Sequence, residues 1–266
     1  MSNFLKRIIV ALILGTLVVT ALFIHPILLY IISLIWISLA TIEFLHILSL
    51  KQIYINRFLI ILLNLAIPTI FYFGGSLLIY VGLLFIVFIY SLYKQEQYYL
   101  VVPFSLFAIF YLGVLPSHLL FLKVWVRTHG LSSFIVLFPV LFTWLNDTAA
   151  YGVGSWIGRH KLATKISPNK TIEGFIGSII VSVLFSAIYL RAILPHISAF
   201  AMVIIGLILS VAAQIGDLVE SGFKRAVGIK DSSGILPGHG GFLDRVDSLL
   251  FTVPIFYYIL LYIITL

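Results

Sequence analysis

Residues 201–220, AMVIIGLILSVAAQIGDLVE, run without a break into residues 221–247, SGFKRAVGIKDSSGILPGHGGFLDRVD. The first stretch is an apolar helix candidate that turns polar only at its end. The second mixes carboxylates, Lys, Arg, His and glycines in a chain that is otherwise nearly all hydrocarbon. Lipid tolerates charge poorly, so such a segment persists only where something outside the bilayer requires it. Paired carboxylates, basic side chains and glycines that expose backbone N–H groups are the residue types that hold a metal ion and a polyphosphate.

Working outward, 62% of the 266 residues are hydrophobic and 9% are charged. A soluble domain carries about 25% charged residues. This composition predicts an all-α polytopic membrane protein and excludes water-soluble α/β readings. The length allows about nine transmembrane helices of roughly 20 residues each. Apolar runs place them near 5–24, 26–48, 57–73, 75–93, 98–121, 131–157, 173–193, 199–220 and 248–266. His25-Pro26 and Gly74-Gly75 mark very short turns between paired helices. The chain has no Cys, which excludes a disulfide framework and a thiolate zinc site. The opening LKRIIVALILGTLVV has the basic start and apolar centre of a signal peptide. No small-residue cleavage site in a polar setting follows, so it is read as a retained first span. One membrane domain is expected over 1–266, with 1–130 mainly scaffold and 131–266 carrying the catalytic spans and loops.

The charges orient this map. With the N-terminus inside, thirteen of the sixteen Lys and Arg fall in inner loops, and only Lys123, Arg127 and Arg191 fall outside. Such a bias places loops 158–172 and 221–247 in the cytoplasm, where nucleotides are. The net charge of +7 is therefore read as topology, and no nucleic-acid partner is expected. Of the nine acids, only Glu43 and Glu96 precede Asp147. The polar site is thus expected in the C-terminal half, facing the cytoplasm.

Asp244 and Asp247 sit three apart in LDRVD at the mouth of the last span. On a helix, residues three apart share a face. Two carboxylates that close repel unless a cation lies between them, and a hard cation such as Mg²⁺ suits oxygen ligands. The plain alternative is a pair of acids favouring a helix N-terminus. Ser210, Gln214, Asp217 and Ser221 follow a 4-3-4 spacing along one helical face. Ser210 and Gln214 read equally as glue between helices; Asp217 is assigned to the metal site with Asp244 and Asp247. Glu220 reads as either a site acid or a solvated helix end.

Lys224 and Arg225 lie about two turns beyond Asp217, within reach of a phosphate. Lys230 reads as a membrane-surface charge. PGHGG supplies backbone able to approach an anion, through Gly240 and Gly241, with His239 as a donor. Upstream, Asp147 falls inside a span in NDTAAYGVG, where Gly154 and Gly158 allow close helix packing. In SPNKTIEG, Ser167-Pro168 reads as a turn and Thr171 as a helix cap. Lys170 then lies near the positive end of a helix, where a cation is disfavoured unless an anion binds there.

The stretch from Ser221 to Asp247 closely resembles the signature of phosphatidate cytidylyltransferases, also called CDP-diacylglycerol synthases. The S-x-x-K-R, K-D, P-x-H-G-G and D-R-x-D elements stand at Ser221, Lys224-Arg225, Lys230-Asp231, Pro237 through Gly241 and Asp244 through Asp247. NDTAAYGVG and SPNKTIEGFIG also resemble elements of that family, so the motif-level match covers 146–253. The resemblance implies a multi-pass enzyme, commonly a homodimer, in a bacterial cytoplasmic membrane. Such an enzyme joins CTP to phosphatidic acid and gives CDP-diacylglycerol and pyrophosphate for phospholipid biosynthesis. It would require Mg²⁺, with a second cation left open. Asp217, Asp244 and Asp247 would be the metal-site acids. Asp147, Lys170, Lys224, Arg225, His239 and Arg245 would be catalytic or phosphate-binding, with Ser167, Ser221, Gly240 and Gly241 beside the nucleotide. Two rivals are a CTP-dependent polyprenol or phytol kinase and an ion-coupled transporter using Asp147 and Asp217.

Overall fold

Helix starts in this chain are set by capping side chains that satisfy otherwise orphaned N–H groups. His25 precedes Pro26 and accepts from Ile27 N; Asn56 accepts from Leu59 N; Thr171 accepts from Gly174 N; Ser198 accepts from Ala201 N. A computed structural model describes residues 3–75, 77–92, 97–235 and 240–265. Its helices are α1 (Asn3–Ile24), α2 (Pro26–Ser49), α3 (Arg57–Tyr72), α4 (Leu77–Leu92), α5 (Tyr98–Ile109), α6 (Leu115–Thr128), α7 (Phe134–Ile157), α8 (Ile172–Ile193), α9 (Ala199–Val227) and α10 (Leu249–Thr265). Among the described residues, five helical stretches are long and apolar enough to cross a membrane, and four shorter apolar helices accompany them. The protein is an all-α polytopic membrane protein.

Three boundaries depart from the sequence reading. The span read as 98–121 continues to Thr128, through a π-helical turn at Phe110–Val114. The span read as ending at 220 continues to Val227 and stops at Gly228, whose φ of 87° favours a residue without Cβ. The loop over 158–172 folds as a two-stranded antiparallel hairpin, β1 (Lys161–Ala163) and β2 (Ser167–Thr171), pairing Lys161 with Thr171 and Ala163 with Ser167. Ser167-Pro168 therefore opens a strand and is not a turn. Thr171 does cap α8.

The chain divides into two compact units, Met1–Trp125 with Asp231–Arg245, and Val126–Lys230 with Val246–Leu266. In the first, Asn64 of α3 donates to Thr41 of α2 (2.9 Å), a polar tie inside an apolar helix pair. Gly113 in the π turn lies against Asn64 and Ile67, where a Cβ would come within 2.5–2.7 Å of both side chains.

In the second unit, small residues let the helices close. A Cβ on Gly174 of α8 would meet the Ala150 carbonyl of α7 at 2.6 Å, and one on Gly206 of α9 would meet Val183 Cα at 2.8 Å. Asn146 of α7 is fully buried, and its Oδ1 accepts from Ser182 of α8 (3.1 Å) and Ser210 of α9 (2.6 Å). Ser210 is thus interhelical glue. Thr143 of α7 meets Thr252 of α10 (3.1 Å), and Phe138 packs on Phe256 with ring centroids 4.8 Å apart. Gly216 of α9 sits where a Cβ would reach the Asp247 carbonyl at 2.5 Å and Phe251 at 2.9 Å. Gly216→Ala is expected to cost about 1–3 kcal/mol, as overpacking does. A lower thermal midpoint in detergent checks this, and an unchanged midpoint contradicts the close approach.

Candidate active site

In the second unit, chemistry gathers where α9 turns polar. Asp217, four residues before Ser221 and three after Gln214, shares their face of the helix. Ser221 Oγ donates to Asp217 Oδ1 (3.1 Å). Lys170 comes to the same face from β2: its ammonium lies 2.7 Å from Asp217 Oδ2 and donates to Gln214 Oε1 at 3.0 Å. The hairpin explains why a lysine sits beside a helix start. Its strand carries the side chain away from the α8 N-terminus and across to α9.

Asp247 lies just before α10, with its carboxylate accepting from Ser248 N (2.7 Å). Removal from water, then the charges of Asp217 and Asp147, push its carboxyl up to about 8; the Ser248 N–H and the Lys224 charge act in the opposite direction. Asp247 therefore feels both other aspartates of this unit. A half-buried carboxyl beside two others is mostly ionised at neutral pH only if positive charge joins it. Asp147, on α7, is exposed.

One turn further along α9, Glu220 is 1% exposed and its carboxylate lies 2.5 Å from the ammonium of Lys224, itself 8% exposed. Glu220 is thus an interior partner of Lys224, not a solvated helix end. Arg225 is exposed on the other side, donating to the carbonyls of Ile166 (3.2 Å) and Ile229 (2.9 Å). These two bonds fasten α9 to the hairpin end and to the chain beyond Gly228.

In the first unit, Asp244 orders the glycine segment. Its Oδ2 accepts from Gly241 N (2.7 Å), Ser232 N (3.0 Å) and Ser232 Oγ (3.0 Å). Gly240 has φ +79°, and a Cβ there would collide with the Asp244 carboxylate, so glycine is required twice over. Glu43 of α2 meets the same segment through four hydrogen bonds. Sequence reading placed Glu43 among scaffold spans. The available signal was an ionisable residue inside an apolar run, which marks a functional candidate by default.

LDRVD does not form one helical face. Leu243–Arg245 is a single 3₁₀ turn, α10 begins at Leu249, and Asp244 and Asp247 belong to different units. The Gly240-Gly241 pair and the hydrogen bonds to Asp244 hold the chain out of a helix there. Arg245 is exposed in that turn. Ser167 pairs in β2. His239 lies outside the described residues. Among the described residues, no three His, Asp or Glu side chains stand at metal-holding distances. The donor set of the second unit nevertheless suits a hard cation in its chemistry: oxygen-only ligands, with a partly shielded carboxyl at Asp247 whose charge needs a counter-charge.

The Cytidylyltransferase family profile matches residues 5–263. A Staphylococcus epidermidis protein named phosphatidate cytidylyltransferase is 41% identical over 176 residues, covering 66% of this chain and 65% of the relative. Proteins of the same name from Staphylococcus saprophyticus and Staphylococcus aureus are 42% and 41% identical over the same length. The aligned stretch thus spans a little under two thirds of these relatives' own length. With the profile covering nearly all of its residues, the chain belongs to the cytidylyltransferase family.

Proposed function

We propose that this protein transfers the cytidylyl group of CTP to phosphatidic acid, giving CDP-diacylglycerol and pyrophosphate, at the cytoplasmic face of a bacterial membrane. The observation that carries the proposal is the cluster of Lys170, Asp217 and Asp247, with Asp147 in electrostatic reach, at the polar end of α9. The relatives' name supplies the substrates. The inner-loop excess of Lys and Arg supports the cytoplasmic side.

The phosphate oxygen of phosphatidate forms a bond to the α-phosphorus of CTP. The bond from that phosphorus to the bridging oxygen breaks, and its electron pair leaves with pyrophosphate. No proton need move, because a phosphomonoester's second pKa is about 6 and the attacking oxygen is already ionised. The obstacle is bringing two anions together. Lys170 supplies positive charge where α9 and the hairpin meet. Asp217 holds that ammonium in place, and Gln214 fixes its second contact. Ser221 steadies Asp217 from one turn away. Lys224 adds a positive field felt by Asp247, while Glu220 keeps the Lys224 ammonium buried and paired. Gly240 and Gly241, which the family resemblance puts beside the nucleotide, take their conformation from Asp244, whose carboxylate accepts from Gly241 N at 2.7 Å. Asp217 and Asp247, with Asp147 beside them, would hold Mg²⁺, which when bound supplies neutralisation of phosphate charge.

The test is which product leaves. Purified protein given CTP, phosphatidate and Mg²⁺ is expected to release one pyrophosphate for each lipid-soluble cytidine formed. Release of CDP with phosphorylation of a prenol would instead establish the kinase reading. Metal-dependent ion flux in liposomes without CTP would establish the transporter.

A further inference from the structure

Glu43 is a carboxylate in the middle of an apolar helix, 2% exposed, far in sequence from every residue of the proposed reaction. Burying such a group is costly unless each oxygen is hydrogen-bonded. Here each oxygen takes two donors. Oε1 accepts from Ser233 Oγ (2.6 Å) and Phe242 N (3.0 Å); Oε2 accepts from Ser232 Oγ (3.0 Å) and Leu243 N (2.9 Å). A carboxylate offers about four lone-pair sites. All are used, so Glu43 has no capacity left for an ion and is an anchor rather than a ligand.

The four donors come from both ends of one segment, Ser232-Ser233 and Phe242-Leu243. Glu43 therefore pins the two sides of the Asp231–Arg245 segment to one point on α2. Seven residues earlier, on the same face, Trp36 meets Phe242 edge to face with centroids 5.6 Å apart. Gly241 lies against Glu43 and Ser232: a Cβ there would come 2.5–2.6 Å from both Glu43 oxygens and 2.0 Å from Ser232 Oγ. Ser232 Oγ stands 3.0 Å from Glu43 Oε2 and 3.0 Å from Asp244 Oδ2, so one hydroxyl proton serves two carboxylates. Ser232 thereby links Glu43 to Asp244.

We infer that Glu43 is a positioning residue for cytidylyl transfer, holding the Gly240–Asp244 segment in its working conformation from a helix that otherwise looks like scaffold. The role in the reaction rests on the proposed function; the anchoring itself does not.

The experiment uses the full chain in detergent and the Glu43→Gln variant. Gln keeps the shape but turns one end into a donor facing N–H and O–H donors. Hydrogen exchange at the Phe242 and Leu243 amides is expected to quicken about a hundredfold, as for loss of a charged acceptor to buried donors. Exchange in α3 should be unchanged. At saturating CTP the transfer rate should fall about a hundredfold as well. Unchanged exchange in 240–245 overturns the anchor. Faster exchange with an unaltered transfer rate overturns the positioning role. Faster exchange in a protein whose unsubstituted form transfers no cytidylyl group supports the anchor and removes the proposed function instead. Should Glu43→Gln fail to fold, Ser233→Ala deletes the 2.6 Å contact to Glu43, together with the 3.3 Å bond that the same hydroxyl accepts from Ile235 N. A roughly tenfold effect on exchange and rate is then expected, and none at all overturns the inference.

Discussion

Asp247→Asn is expected to abolish cytidylyl transfer, by about a thousandfold or more, while leaving the protein as stable as before or more so. The loss follows from removing a carboxylate that would hold the divalent ion neutralising the phosphates; losing even a single neutral donor to a transition state costs about 10²–10³ in rate. The stability follows from the surroundings. Burial and the charges of Asp217 and Asp147 disfavour the ionised form and push the carboxyl up to about 8. Asn has the shape of the protonated acid, and its carbonyl can still accept from Ser248 N. The pH dependence has a definite sign. Without a divalent ion, the unfolded carboxyl releases its proton near 3.8, while the folded one keeps it to about 8. The folded state then binds more protons, so stability falls as pH rises from about 4 to about 8. Asp247→Asn should lack that slope. Thermal midpoints at pH 5 and pH 8 in chelator check this. A variant that loses stability and activity together would mean Asp247 is merely structural.

Lys170→Met is expected to fail differently, losing both activity and stability. The Lys170 ammonium is the 2.7 Å partner of Asp217 and also reaches Gln214. Its removal deletes positive charge from the proposed phosphate site, for a rate loss of about 10²–10³. It also strands a partly shielded carboxylate, at a cost of about 1–3 kcal/mol. Adding Asp217→Asn should restore most of the stability and none of the transfer, since the two residues are in direct contact and their effects do not add. Full activity in Lys170→Met would take this lysine out of the mechanism.

The membrane architecture was legible because runs of apolar residues near 20 long have few alternatives. His25-Pro26 and the Thr171 cap were legible for local reasons, the fixed φ of Pro and the short reach of a Thr hydroxyl. What was missed depends on distant partners. GFKRAV looked like a loop because it is polar, yet the helix continues through it, with Lys224 buried against Glu220 and Arg225 fastened to Ile166. The hairpin over 161–171 is too short to show a period. LDRVD has helical spacing, but Gly240 and Gly241, gripped by Asp244, hold a 3₁₀ turn instead. Glu43 was visible as an acid in an apolar run. Its partners, some 190 to 200 residues further on, were not.

On the proposed mechanism, aspartates around the polar end of α9 hold a divalent cation for phosphate transfer. Manganese binding to the purified chain, followed by electron paramagnetic resonance in detergent, tests it without relying on turnover. Mn²⁺ bound by the unsubstituted protein is expected to be displaced by Mg²⁺, and Asp217→Asn and Asp247→Asn are each expected to weaken binding at least about tenfold, as removal of a charged ligand does. Undiminished Mn²⁺ binding in both variants would contradict it.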